Sequence, residues 1–271
     1  MSPVDLVIVA AGNGTRMGDK YKPKILTEIN GVPNLYNTFN KIIGSEVVFK
    51  NIYIVTNKRN WDDVSRAVQT YDSKDSLLSQ VSVIEIESGR GDGHAILEMA
   101  KVVNDLSQQF FIMWGDAYLT SGDIFDDCLR EAELIPFTPL IIPVINEIKP
   151  YVTFLVDANM NCISADFSKH GENHPSGFHD QCVFLVNHKP HILNQLYEME
   201  KFFFKNGRYI TESGENTFLY IVHALYNTRE ISDCDGSEFH YAAKAIITDS
   251  PVLSYNTLGE VKDIERVLRD G

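Results

Sequence analysis

Residues 6–26 read Leu6-Val-Ile-Val-Ala-Ala-Gly-Asn-Gly-Thr-Arg-Met-Gly-Asp-Lys-Tyr-Lys-Pro-Lys-Ile-Leu26. Leu6–Val9 is a short apolar, β-branched run, the mark of a buried strand. It stops at Ala10-Ala11-Gly12, where small side chains let a ligand approach the main chain. Gly12 and Gly14 permit a tight turn with φ > 0, in which successive N–H groups, including that of Asn13, face one concavity and bind an anion. Arg16, Lys20, Lys22 and Lys24 follow, opposed only by Asp19, in a chain whose formal charge is −13. A basic island in an acidic protein calls for a polyanionic ligand, and a polyphosphate fits.

Two familiar glycine fingerprints do not account for the turn. The dinucleotide pattern G-x-G-x-x-G would put its third glycine at Met17, and its pyrophosphate is held by main chain without a dense basic run. No G-x-x-x-x-G-K-[ST] occurs. An oxidoreductase of that kind also predicts an acid after the second strand, where Thr56-Asn57-Lys58-Arg59 stands instead.

The positions Ala10, Ala11, Gly12, Gly14, Thr15, Arg16, Met17, Pro23 and Lys24 resemble the signature A-A-G-x-G-T-R-M, spacer, P-K of the nucleoside-diphosphate-sugar pyrophosphorylases (sugar-1-phosphate nucleotidyltransferases). The spacer is about one residue longer than usual, which a loop tolerates. The resemblance implies an α/β fold with a Rossmann-like, mostly parallel sheet, helices on both faces and a β-rich acceptor-binding insertion. It implies transfer of a nucleotide from a triphosphate, CTP or UTP, to a phosphorylated sugar or small alcohol, with Mg2+ as cofactor. In that reading Ala10–Thr15 cradle the triphosphate, and Arg16 and Lys24 are catalytic.

The rest of the chain is consistent with this. With 271 residues and 44% hydrophobic content the chain can bury a sizeable core. An acidic chain lacks the broad basic face of a nucleic-acid binder. No apolar run approaches the ~18 residues of a membrane span, and no basic leader precedes the first strand. Cys128, Cys162, Cys182 and Cys234 form no C-x-x-C pair and fit reduced thiols of a cytosolic protein.

Strands are expected at 51–55, 81–86 and 110–114, separated by helices near 33–43, 60–70 (capped by Asn60) and from 95 onward. Such alternation builds a parallel sheet. Gly91-Asp92-Gly93 precedes the third helix where the resembled family reads the nucleobase. Asp92 either accepts from an exocyclic amino group of the base or caps the helix. Asp116, after the strand Phe110–Trp114, stands in the crevice where such sheets bind ligands, and the family's Asp at this place holds Mg2+. The resemblance implies a second metal ligand just before the final helix: Asn256, with Thr257 and Asp249 as alternatives.

From Leu140 the texture becomes hairpin-like, with strands at 140–144, 152–156, 162–167 and 181–186 and a polar loop at 168–180. Here the match to the family's sugar-binding motifs is loose, through Asp166-Phe167-Ser168-Lys169 and Gln181-Cys182-Val183. The chain therefore reads as one nucleotidyltransferase domain, 1–138 serving the nucleotide and 139–271 the acceptor. The histidines His170, His174 and His179 match no zinc spacing and suit loop or acceptor-phosphate contacts. Phe202, Phe203 and Phe204 cannot share one helix face, so at least one is expected to meet another surface, as in a homodimer. A nucleotide-binding regulator that has lost its chemistry is the alternative function.

Overall fold

The computed structural model describes residues 3–17, 23–71, 80–87, 90–168, 174–206, 208–211, 214–227, 231–232, 238–239 and 242–270. Lys20, Lys22, Asp19, His170 and Cys234, singled out above, lie outside them. The first strand is β1, Val4–Val9, and β2, Phe49–Asn57, β3, Val81–Ile86, and β4, Phe110–Trp114, follow it. Between them run α1, Asn34–Ile43, α2, Lys58–Thr70, and α3, Asp92–Val102. Parallel pairing joins β1 to β2 and to β4, and β2 to β3. The spatial order β4-β1-β2-β3 means that the chain crosses back over β1 after β3. A crevice therefore opens between the carboxyl ends of β1 and β4, where such a sheet binds ligands.

The second part of the chain extends the sheet in antiparallel fashion. After β5, Ala117–Leu119, and α4, Asp123–Leu134, come β6, Leu140–Ile148, β7, Val152–Val156, β8, Cys162–Phe167, β9, Ser176–Asp180, and β10, Val183–Val186. The full order is β8-β7-β9-β6-β10-β4-β1-β2-β3. Helices α5, Lys189–Phe203, and α6, Ile221–Asn227, follow. Then β11, Lys244–Ile247, pairs parallel with β6, and β12, Val252–Ser254, pairs antiparallel with β5. Helix α7, Leu258–Asp270, comes last.

Alternation along the strands sorts side chains to two faces. Val7, Phe110, Ile112 and Phe184 join a core under α3, α5 and α6, whereas Leu6, Ile8, Phe111 and Met113 join one under α1, α2 and α4. Both clusters draw residues from the parallel and the antiparallel strands. A third, smaller cluster sets Val261 and Ile264 of α7 against Met17, Ile29 and the fully buried Tyr255.

Three details differ from expectation. The polar stretch 168–180 contains the strand β9, because pairing with β6 and β7 supplies its hydrogen bonds despite poor intrinsic propensity. Helix α2 is capped by Asn57, whose side chain accepts from the amide of Asn60 at 3.0 Å, so Asn60 is the recipient of the cap and not the cap itself. Pro33 stands just ahead of α1, which begins at Asn34.

Candidate active site

The turn after β1 is held from below. The amide of Ala10 donates to Val55 O at 2.8 Å, and Asn57 Nδ2 donates to Ala11 O at 2.8 Å. Asn57 thus secures the glycine turn while capping α2. Gly14 has φ +63° and its carbonyl accepts from the Met17 amide at 2.9 Å, closing the short helical turn Thr15–Met17. Gly12, expected at positive φ, does not adopt it. A Cβ there would meet nothing within 4 Å, so the bare backbone of Gly12 faces open space.

On the neighbouring strand, the amide of Gly115 donates to Val9 O at 2.9 Å. A Cβ on Gly115 would lie 2.9 Å from Ala10 Cβ and 3.1 Å from Val9 O. Glycine here and a small residue at position 10 are what let the ends of β1 and β4 close together. Asp116 follows immediately at the lip of the crevice.

Lys24 bridges the two ends. Its Nζ donates to Asp116 Oδ2 at 2.8 Å and to Asn256 Oδ1 at 2.7 Å, with side-chain exposures of 17% for Lys24 and 24% for Asp116. Two oxygens from distant segments therefore converge on one positive charge. The Tyr255 hydroxyl fixes the lysine backbone by donating to Lys24 O at 2.7 Å. Burial, with the Asp116 charge adding to it, raises the Tyr255 phenol well above its usual range, so it stays a donor.

Asn256 is placed by the start of α7. Glu260 Oε2 accepts from the amides of Asn256 at 2.5 Å and Thr257 at 2.8 Å, and Thr257 Oγ1 accepts from the Glu260 amide at 3.3 Å. Thr257-Leu258-Gly259-Glu260 is thus a capping box, with Thr257 as N-cap. Of the three candidates for the second ligand, Asn256 is the one that reaches Asp116 through a shared cation. The sequence signal that marks this place is the T-x-x-E spacing itself.

Lys24, Asp116, Asn256 and Glu260 line one cleft of about 530 Å3, which also takes in Ala10, Ala11, Gly12, Asn13, Arg16, Gly91 and Asp92. Among the described residues, Gly14 is not on its wall. Its far side is built by the antiparallel strands: Glu147, Tyr151, Phe167, His179 and Asp180, faced by Glu215 and Thr217. His179 Nδ1 lies 3.0 Å from Val152 O and its Nε2 lies 3.9 Å from Glu147 Oε2. Asp180 is buried, and burial raises its carboxyl above the ordinary value; its Oδ2 accepts from the Cys182 amide at 3.1 Å.

Asp92 Oδ1 accepts from the Phe218 amide at 2.6 Å and from the Gly93 amide at 2.8 Å. Burial pushes its carboxyl up to about 6. It therefore ties the third helix to the segment before α6 and also faces the cleft; it does not cap α3, because Gly91 holds the N-cap position and Asp92 is already the first helical residue.

Could the Asp116–Asn256 seat hold a metal? Among the described residues no three His, Cys, Asp or Glu side chains gather as a metal cluster. Mg2+ does not need one: it is commonly bound through one or two carboxylates, with waters and substrate phosphates completing its shell. An all-oxygen pair already aimed at a cation fits that description.

A phosphate-sized turn at the switch point of an open sheet, with a cation and a carboxylate across it, is the arrangement of a nucleotidyltransferase. The chain belongs to the family of MobA-like NTP transferase domains, whose model matches residues 6–184. A 113-residue stretch is 25% identical to the bifunctional protein GlmU of Cereibacter sphaeroides, spanning 42% of this chain and 23% of that protein. The fold is similar to that of a UDP-glucose pyrophosphorylase solved with UDP-glucose, at TM-score 0.75 and 13% identity over 99% of each chain. HddC of Yersinia pseudotuberculosis, solved with GMP-PN, aligns at TM-score 0.66 and 17% identity over 98% of this chain and 99% of its own. The inositol-1-phosphate CTP transferase of T. maritima aligns at TM-score 0.66 and 12% identity, over 99% and 97%. No helix among the described residues is long and apolar enough to cross a membrane.

Proposed function

We propose that this nucleotidyltransferase moves a nucleoside monophosphate from CTP or UTP to a phosphorylated sugar or small phosphorylated alcohol, with Mg2+ and release of pyrophosphate. The observation that carries the proposal is the Lys24 ammonium held between Asp116 and Asn256 beside the glycine turn. The names of the structural neighbours, a pyrophosphorylase seen with UDP-glucose and a CTP transferase of inositol 1-phosphate, support the substrate class.

An oxygen of the acceptor's phosphate attacks the α-phosphorus in line; the bond from the α-phosphorus to the bridging oxygen breaks, and pyrophosphate leaves. The acceptor phosphate is already anionic near neutral pH, so no general base is required. The protein's work is to bring two polyanions together and offset the charge that develops between them. Backbone N–H groups of Ala11, Gly12 and Asn13, which line the cleft, cradle the triphosphate, and Arg16 grips the leaving pyrophosphate through its planar fork. Lys24 leaves the two oxygens and bridges the α-phosphate and the acceptor phosphate as a mobile point charge. Asp116 and Asn256 would then hold Mg2+, which would supply positive charge to offset that of the phosphates. Gly91 and Asp92 face the base, and residues 139–271 serve the acceptor within the same domain.

Pyrophosphate release, assayed for each common triphosphate against sugar phosphates and alcohol phosphates with Mg2+, tests this. Turnover is expected with CTP or UTP. A triphosphate that raises the melting temperature while no pair releases pyrophosphate would instead establish a binding regulator.

A further inference from the structure

Behind the wall of the cleft lies a polar cluster that no step above uses. Glu200 of α5 accepts from the Tyr209 hydroxyl at 2.5 Å and from Asn216 Nδ2 at 2.7 Å, both on Oε2, while Oε1 lies 3.2 Å from His94 Nδ1. Asn216 is fully buried, His94 is 4% exposed and Tyr209 5%. Asn216 in turn stitches the turn ahead of α3: its carbonyl accepts from the Gly93 amide at 2.9 Å, and its amide donates to Arg90 O at 2.9 Å. Gly91 has φ +93° and lies so close to Asn216 that any Cβ would run into the latter's main chain. Contact with Asn216 thus shapes residues 90–93 on both sides of Gly91, and Asn216 is held by Glu200.

We infer that Glu200 is a positioning residue for nucleotide binding, acting through Asn216 on the turn 90–93. The inference rests on the proposed role of that turn in facing the nucleotide.

Burial alone would raise the Glu200 carboxyl, but the bonds from Tyr209 and Asn216 and the nearby His94 hold it below the ordinary value, so it is ionised near neutrality. An ionised group set among buried partners is a poor way to gain stability, since apolar residues of the same size usually do as well or better. Its advantage is geometric. A charged acceptor with two well-directed donors on one oxygen fixes Asn216, and hence Gly91 and Gly93, more narrowly than packing could. The cluster joins α5 to α3 beneath the base side of the cleft; the phosphate turn and the Lys24 seat are not part of it.

The test compares Glu200→Ala, Glu200→Gln and Tyr209→Phe with the wild type. The readouts are KM for CTP and UTP, KM for the acceptor, kcat and melting temperature. Losing hydrogen bonds to a charged group should raise the triphosphate KM about tenfold in Glu200→Ala and about threefold in Tyr209→Phe. Glu200→Gln should fall between them, because its amide oxygen still accepts from Tyr209 and Asn216. The acceptor KM and kcat should stay within about twofold, which a general loosening of the fold would not allow.

A triphosphate KM unchanged in folded Glu200→Ala overturns the inference, and so does a parallel change in both KM values and kcat. Should Glu200→Ala fail to fold, the two isosteric variants decide, and unchanged KM in both overturns it. If the wild type releases no pyrophosphate, the proposed reaction falls separately. The dissociation constants of Mg–CTP and Mg–UTP, measured calorimetrically on the same variants, then decide the role of Glu200 by the same fold-changes.

Discussion

The parallel and antiparallel blocks of this sheet meet their ligands with different parts of the chain. From β1 and β4 the cleft receives largely backbone: Ala10–Asn13, the close approach at Gly115, and one lysine whose carbonyl accepts from the Tyr255 hydroxyl. From β6 to β9 it receives side chains: Glu147, Tyr151, Phe167, His179 and Asp180. A triphosphate looks the same whichever acceptor is used, so a rigid main-chain cradle suits it. An acceptor is told apart by its particular hydroxyls and shape, which needs side chains that can be exchanged without disturbing the sheet. On the proposed reading, the side that serves the triphosphate therefore carries a strict signature and the side that serves the acceptor a loose one.

The comparison breaks first at the chemistry. Lys24→Ala and Asp116→Ala should each lower kcat by about 10²–10³, or ~3–4 kcal/mol, as preorganised charges do, while melting temperatures stay near that of the wild type. Pyrophosphate release measures this, and wild-type turnover in either variant would remove the nucleotide side from the reaction.

Next comes the seam between the blocks, where Asp92 of α3 holds the Phe218 amide. Its carboxyl, raised from 3.8 to about 6 by burial, favours the neutral form in the folded state. That contribution to stability is full below pH 3.8 and is lost as pH rises through about 6. Asp92→Asn keeps an acceptor oxygen and cannot ionise. It should match the wild type near pH 4 and exceed it by about 2–3 kcal/mol at pH 7.5, a shift of about two pKa units. Denaturant midpoints at the two pH values test it, and a constant difference across them would show that Asp92 does not titrate in this window.

Packing gives a smaller effect with a built-in contrast. Gly115→Ala presses a methyl into Ala10 and the β1 main chain, and should cost about 1–3 kcal/mol together with activity. Gly177→Ala in β9 meets chiefly the Thr153 methyl at 2.8 Å, a side-chain end that can turn aside, and should cost less. Thermal melts rank the two, and the reverse order would mean that the antiparallel block is the more tightly built. The smallest change is expected for Thr257→Ala: loss of an N-cap costs ~1 kcal/mol, with a modest fall in turnover as Asn256 loosens. A fall as large as that of Asp116→Ala would make Thr257 itself part of the cation seat.

What can be read in the chain follows the same division. The β1 turn, Pro23-Lys24 and Gly115-Asp116 are legible because phosphate chemistry demands local patterns. Asn256 stands among alternatives in the sequence because its partner Lys24 is 232 residues away, and the fold brings them together by pairing β12 with β5 beside Asp116 and setting the Tyr255 hydroxyl on Lys24 O. Strand β9 is hidden because Ser176-Gly-Phe-His-Asp180 has no apolar alternation, and its neighbours supply what its composition does not. Asn57 gives way to Asn60 in a sequence reading because the strand β2 outruns its apolar run and ends in the cap itself. The cluster of His94, Glu200, Tyr209 and Asn216 spans three separate stretches and leaves no pattern in any of them.

The docking of α7 has a consequence for when the protein becomes competent. Its leading residues, Tyr255 and Asn256, clasp a lysine laid down more than two hundred positions earlier. On the ribosome the glycine turn emerges early, yet the oxygen pair around Lys24 is incomplete until synthesis has passed residue 256. On the proposed reading, turnover therefore awaits the last segment of the chain, however early the first strands are made.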